Sequence, residues 1–134
     1  MNRSKAKGTR LESEFVDFAH EHGFPHARRI AAAGVLDQGD VALADGVPVT
    51  IEVKNHIQMD LATWMKEAQK ESVNAGTYRY VVAHNRRGAS TRENYATVPW
   101  WFLLELLQAF QAQTAPKPMV APGQFEPLHP HSIA

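Results

Sequence analysis

The sequence predicts an α/β fold: a mixed β-sheet flanked by helices, in the order helix, three-strand meander, helix, strand, helix. Three observations predict it. Apolar residues recur at helical spacing in three separate segments. Short runs that alternate apolar and polar residues, or are β-branched, fill the stretches between them. The segment that separates the runs at 49–54 and 78–84 is long enough for a right-handed parallel crossover.

Each element has its own signals. Residues 1–9 are polar and basic and read as a flexible arm; residues 10–113 are expected to form one domain. The first helix is expected from about Thr9 to His22, with Leu11, Phe15, Phe18 and Ala19 on one face. Thr9 and Glu12 have capping-box spacing, and Gly23 and Pro25 end the helix. Residues 26–31 and 40–44 are strand candidates, joined by a small-residue loop, and Asp45-Gly46 is a hairpin turn. In the clearest strand, Val49, Ile51 and Val53 face one way and Thr50, Glu52 and Lys54 the other. Asp60 is a good N-cap for a second helix running to about Asn74, with a stripe of Leu61, Trp64, Met65 and Ala68. Residues 78–84 form the next strand, 85–94 a basic loop and 95–98 a short edge strand. Pro99 suits the first turn of a last helix that is apolar on most faces. The five prolines after Thr114 predict a disordered or extended tail over 114–134.

Composition bounds the function. The 134 residues carry 14 Lys+Arg and 14 Asp+Glu, a zero net charge that argues against a protein held on nucleic acid by bulk charge. The absence of Cys excludes disulfide scaffolds, cysteine zinc sites and cysteine nucleophiles. No apolar run reaches the roughly 20 residues that span a bilayer, so no membrane role and a cytoplasmic location are expected.

The informative constellation is Asp40, Glu52 and Lys54. Glu52 and Lys54 share a strand face, and a hairpin about Asp45-Gly46 sets position 40 across from 51–52. Two neighbouring carboxylates suit a hard cation such as Mg²⁺, and the backbone carbonyl of Val53 could add a ligand. Lys54 could then orient or deprotonate a water and stabilise charge on phosphorus, as in metal-assisted phosphodiester hydrolysis. The blander reading of an E-x-K pair is a solvated strand face with a weak ion pair.

Gly39-Asp40-Val41-Ala42-Leu43, a turn, and then Thr50-Ile51-Glu52-Val53-Lys54 resemble the PD-(D/E)xK nuclease superfamily. A narrower likeness is to Holliday-junction resolvases of the archaeal type. It rests on Lys7-Gly8-Thr9-Arg10-Leu11-Glu12 entering the first helix, His22-Gly23-Phe24, Arg28-Arg29, Ala32-Ala33-Gly34, Asp40 and Glu52-Val53-Lys54. The resemblance covers about residues 5–84 and implies a restriction-endonuclease-like core. It implies a Mg²⁺- or Mn²⁺-dependent DNA endonuclease that cuts four-way junctions in recombination and repair, as a homodimer, in a prokaryotic or viral setting. Asp40 and Glu52 would be metal ligands, Lys54 the water-positioning residue, and Glu12 would hold a second metal or a water. Other nucleases of the superfamily, of restriction, repair or phage-DNA-processing type, and a non-catalytic DNA-binding module on the same fold are the alternatives.

Glu12 lies at the edge of the apolar stripe, which favours it over Glu14. Gln69 in the second helix and His56 after the strand are accessory candidates. Lys5, Lys7, Arg10, Arg28, Arg29, Arg86 and Arg87 form a candidate phosphate-contacting rim. The seven His residues lack zinc-pair spacing.

Overall fold

In a computed structural model of the chain, the backbone is described for residues 3–114 and the side chains for residues 8–114. The expected Pro-rich tail beyond them, and the side chains of Lys5 and Lys7, lie outside the described residues. The chain divides into two compact units, one running through Val98 and one beginning at Pro99. The domain expected over 10–113 spans parts of both units.

The first unit holds α1 (Arg3–Glu21), β1 (Arg28–Arg29), β2 (Val41–Ala42), β3 (Thr50–Lys54), α2 (Leu61–Ala75), β4 (Tyr80–His84) and β5 (Tyr95–Thr97). The strands form one sheet in sequence order. β1–β2, β2–β3 and β4–β5 pair antiparallel, and β3–β4 pair parallel across the α2 crossover. The mixed sheet and the helix that closes the crossover are those expected from the hydrophobic pattern.

Alternation along β3 and β4 sets the two faces. Leu11, Val16 and Ala19 of α1 pack with Val41, Ile51, Val53 and Ala83. Trp64 and Ala68 of α2 pack with Val82 on the other face. Each buried Val or Ile contributes about 1.5–3 kcal/mol. Truncating Trp64, 4% exposed, would cost about 3–5 kcal/mol. Glu52 is in register with Val82, so its side chain enters the α2 layer. The face carrying Thr50 and Glu52 is thus buried rather than solvated, and the weak exposed pair of the bland reading does not describe it.

Several boundaries differ from expectation. α1 begins at Arg3, so most of the expected flexible arm is helical and Thr9 lies inside the helix instead of capping it. Lys, Ala and Arg are strong helix formers, and they carry the helix through Gly8 despite its cost of about 1 kcal/mol. β1 and β2 shrink to two residues each because the loop between them folds on itself, with a 3₁₀ turn at Gly34–Leu36. Asp60 occupies the N-cap position of α2 but its side chain makes no capping bond. Gly76 closes α2 at φ 72°, its N–H donating to the carbonyls of Ser72 and Val73.

The second unit holds α3 (Trp100–Thr114). The Pro99 carbonyl accepts the N–H groups of Phe102 and Leu103 at 3.1 and 3.0 Å and so starts the helix. Phe102 is the buried residue of α3, while Trp100, Leu104 and Leu107 are exposed.

Candidate active site

The hairpin brings Asp40 to β3. The Asp40 N–H donates to the Ile51 carbonyl at 2.8 Å, and its Oδ2 accepts the Val53 N–H at 2.7 Å. Val41 and Ile51 are partners in the ladder. Asp40 therefore sits just before β2, across from residues 51–53, close to the register inferred from the turn. N–H and C=O of one strand residue point to the same edge, so the Val53 carbonyl faces the same side as its N–H, toward Asp40. Gly39 makes this approach possible. Its φ is +102°, and a Cβ there would lie 2.9 Å from Thr50 Cγ2 and 3.0 Å from the Ile51 carbonyl oxygen.

On the α2 side of β3, Lys54 Nζ lies 3.4 Å from Glu52 Oε1 and 2.6 Å from Glu67 Oε2. Glu71, one helical turn beyond Glu67, meets Glu52. As ionised groups the two leave Glu52 Oε2 and Glu71 Oε2 buried without a donor; with one proton between them they hydrogen-bond to each other. Burial, then the neighbouring Glu52 and Glu12 charges, push the Asp40 carboxyl up to about 7, against the lowering effect of the Val53 N–H. Burial and then Glu71 push Glu52 up to about 8. Glu71 is itself raised by burial, with Asp40 and Asp37 adding to the effect. Burial alone would lower Lys54, but its bonds to Glu67 and Glu52 outweigh that and hold the ammonium above its ordinary range.

The structure thus gathers Asp40, Glu52 and Lys54, and adds Glu67 and Glu71, which the apolar stripe of α2 does not single out. The residue proposed from that helix, Gln69, is exposed, and its carbonyl accepts the Ser72 hydroxyl at 2.6 Å. A helix turns 100° per residue, so Glu67 and Glu71 share a face that Gln69 leaves. Their i, i+4 spacing beside the Trp64–Ala68 stripe was the available signal.

The other candidates are more dispersed. Glu12 accepts Arg29 Nε at 3.0 Å and Nη2 at 2.9 Å, so its charge reaches Asp40 while its Oε2 is held by arginine. Glu14 lines a different surface with Asp17 and Glu21. His56 is exposed, its ring 5.3 Å from that of Trp64. The basic rim is partly neutralised within the protein: Arg28 pairs with Asp45 at 3.3 Å, Arg29 with Glu12, and Arg86 with Glu93 at 3.4 Å. Arg10 and Arg87 are exposed. His20 and His22 bond the carbonyls of Ala27 and Phe18, each at 2.8 Å, and so serve the turn after α1. An apolar cavity of about 120 Å³ lies on the α1 face, between Phe15, Phe18, Val53 and Ala83, and none of the site carboxylates lines it.

Among the described residues, no three His, Asp or Glu side chains form a ready-made metal cage. The donor set nevertheless fits Mg²⁺, which binds through one or two carboxylates and keeps several waters. Asp40 and Glu52 are hard oxygen donors made costly by mutual repulsion, and Glu52 Oε2 has no donor of its own. No protein-family model, no curated protein and no solved structure matches the chain.

Proposed function

We propose that the chain is a Mg²⁺-dependent (or Mn²⁺-dependent) DNA endonuclease that cuts four-way junctions as a homodimer. The observation that carries this reading is the meeting of Asp40 with the Glu52-Val53-Lys54 strand through the Asp40–Val53 bond. Supporting it is an acid cluster whose carboxyls are pushed toward neutral pH and which lies beside a lysine ammonium. Asp40 and Glu52 would hold the ion, with the Val53 carbonyl on the same edge. When bound, a divalent ion lowers the pKa of a coordinated water and offsets charge on a phosphate oxygen. Lys54 stays cationic at neutral pH, so it orients the attacking water and stabilises phosphorane charge rather than removing a proton. Glu12, held by Arg29, shapes the field at Asp40 instead of binding an ion directly. Arg10 and Arg87 supply exposed charge for phosphate contacts. The exposed Trp100, Leu104 and Leu107 of α3 give a second copy an apolar surface to cover.

The test is incubation with a labelled four-way junction, with and without Mg²⁺, read on a denaturing gel beside linear duplex. Asp40→Ala, Glu52→Ala and Lys54→Ala should each abolish cutting and leave junction binding largely intact. Wild-type cutting by all three would refute the assignment, and equal cutting of linear duplex would move it to another nuclease type. The second reading is a non-catalytic DNA-binding module on the same fold. Calorimetry showing no Mg²⁺ uptake would select that reading.

A further inference from the structure

Lys54 is held from two sides, and the inference drawn from this rests on the nuclease reading of the acid cluster. Its side chain is only 18% exposed, and its Nζ lies 2.6 Å from Glu67 Oε2 and 3.4 Å from Glu52 Oε1. An ammonium has three N–H donors and no acceptor. Two of them directed at carboxylates fix the torsion about Cε–Nζ, so the third has one direction left. We propose that Glu67 is a positioning residue that fixes the Lys54 ammonium so that its remaining N–H is aimed for the reacting phosphate or its water.

The spacing of the two elements supports a matched pair. Glu67 and Glu71 are four residues apart, about 6 Å along a helix at about 1.5 Å per residue. Glu52 and Lys54 are two apart, about 6.6 Å along a strand at about 3.3 Å per residue. α2 runs back against β3 in the crossover, so Glu71 reaches Glu52 while Glu67 reaches Lys54. One helix face therefore addresses both charged residues of the E-x-K strand. An ordinary surface ion pair contributes little and leaves its lysine mobile; here the lysine is mostly buried and is clamped by a second carboxylate.

Two measurements test the proposal. In ¹H–¹⁵N spectra of the metal-free protein, the Lys54 ammonium should give an observable, slowly exchanging signal. Glu67→Gln should keep it, because the amide oxygen still accepts a bond, and Glu67→Ala should lose it. In junction cleavage, Glu67→Ala should lower kcat about tenfold to a hundredfold with KM within about threefold, and Glu67→Gln should recover most of the loss. An unchanged ammonium signal in Glu67→Ala overturns the proposal whether or not the protein cuts DNA. Equal loss of kcat in both variants overturns it too. Failure of the wild-type protein to cut any DNA instead removes the nuclease reading, and the spectra still decide the role of Glu67.

Discussion

Replacing Gly39 by alanine should do more harm than the same change at Gly46, and the difference measures how closely the Asp40 loop approaches β3. Both glycines have positive φ, +102° and +81°, so alanine is strained at either position. That strain alone is about 1–2 kcal/mol. At Gly46 a Cβ meets nothing within 4 Å. At Gly39 it would stand 2.9 Å from Thr50 Cγ2 and 3.0 Å from the Ile51 carbonyl oxygen, in the backbone ladder itself. Backbone cannot yield as a side-chain tip can, so a further overpacking cost of about 1–3 kcal/mol is expected. Gly46→Ala should therefore destabilise by about 1–2 kcal/mol and Gly39→Ala by about 2–5 kcal/mol. Urea denaturation of the metal-free protein, with both variants at one pH, measures the two values. The displaced loop should also carry Asp40 away from the Val53 N–H, so that divalent ions stabilise Gly39→Ala less than Gly46→Ala. Equal losses in the two variants would refute the close approach.

The remaining predictions concern charge. Asp40 has an ordinary value near 3.8 and is raised to about 7, and Glu52 goes from 4.5 to about 8, so between those values the folded state holds protons that the unfolded chain has released. Metal-free stability should therefore fall as pH rises from about 4 toward 8. Saturating Ca²⁺ should raise the melting temperature more at pH 8 than at pH 5, roughly those same limits, because at the lower pH protons already occupy the site. A stability that climbs across this range, or an ion effect larger in acid, contradicts the assignment of the raised carboxyls. Glu71→Gln removes a like charge and gives Glu52 Oε2 a donor. It should raise metal-free stability near pH 8 by about 1 kcal/mol and shrink the stabilisation by Ca²⁺. Calorimetric scans in chelator and in Ca²⁺ would show both, and a destabilised variant would count against the shared proton.

The sheet and most of Asp40, Glu52 and Lys54 were legible in the sequence for local reasons. Alternation in residues 49–54 sets which side chains share a face, and the Asp45-Gly46 turn sets the hairpin register. Glu67 and Glu71 are not legible because the helical periodicity of this segment is carried by its apolar residues, Leu61, Trp64, Met65 and Ala68. Flanked by Lys66 and Lys70, the two look like part of a solvated face. Only the distance between α2 and β3, a tertiary quantity, shows that Glu71 meets Glu52 and that the half-exposed Glu67 reaches Lys54. α1 starts earlier than the capping pattern of Thr9 and Glu12 predicts because an uninterrupted helix overrides that pattern, freeing Glu12 for Arg29. The burial of Glu52 could not be foreseen from a strand with one apolar face, since it depends on α2 covering the other.

The parallel crossover from β3 through α2 to β4 also bears on how the chain reaches its fold. Glu52, Lys54, Glu67 and Glu71 all lie within this single unit, so most of the charge conflict is local in sequence. Closing the crossover brings Trp64 and Ala68 onto Val82 and, in the same movement, presses carboxylates together. Apolar burial favours that step and electrostatics opposes it. This is local frustration in a sequence that is otherwise consistent with its fold. Whatever relieves the conflict, a proton at low pH or a cation at high pH, should therefore act on the closing of this unit as well as on the finished site.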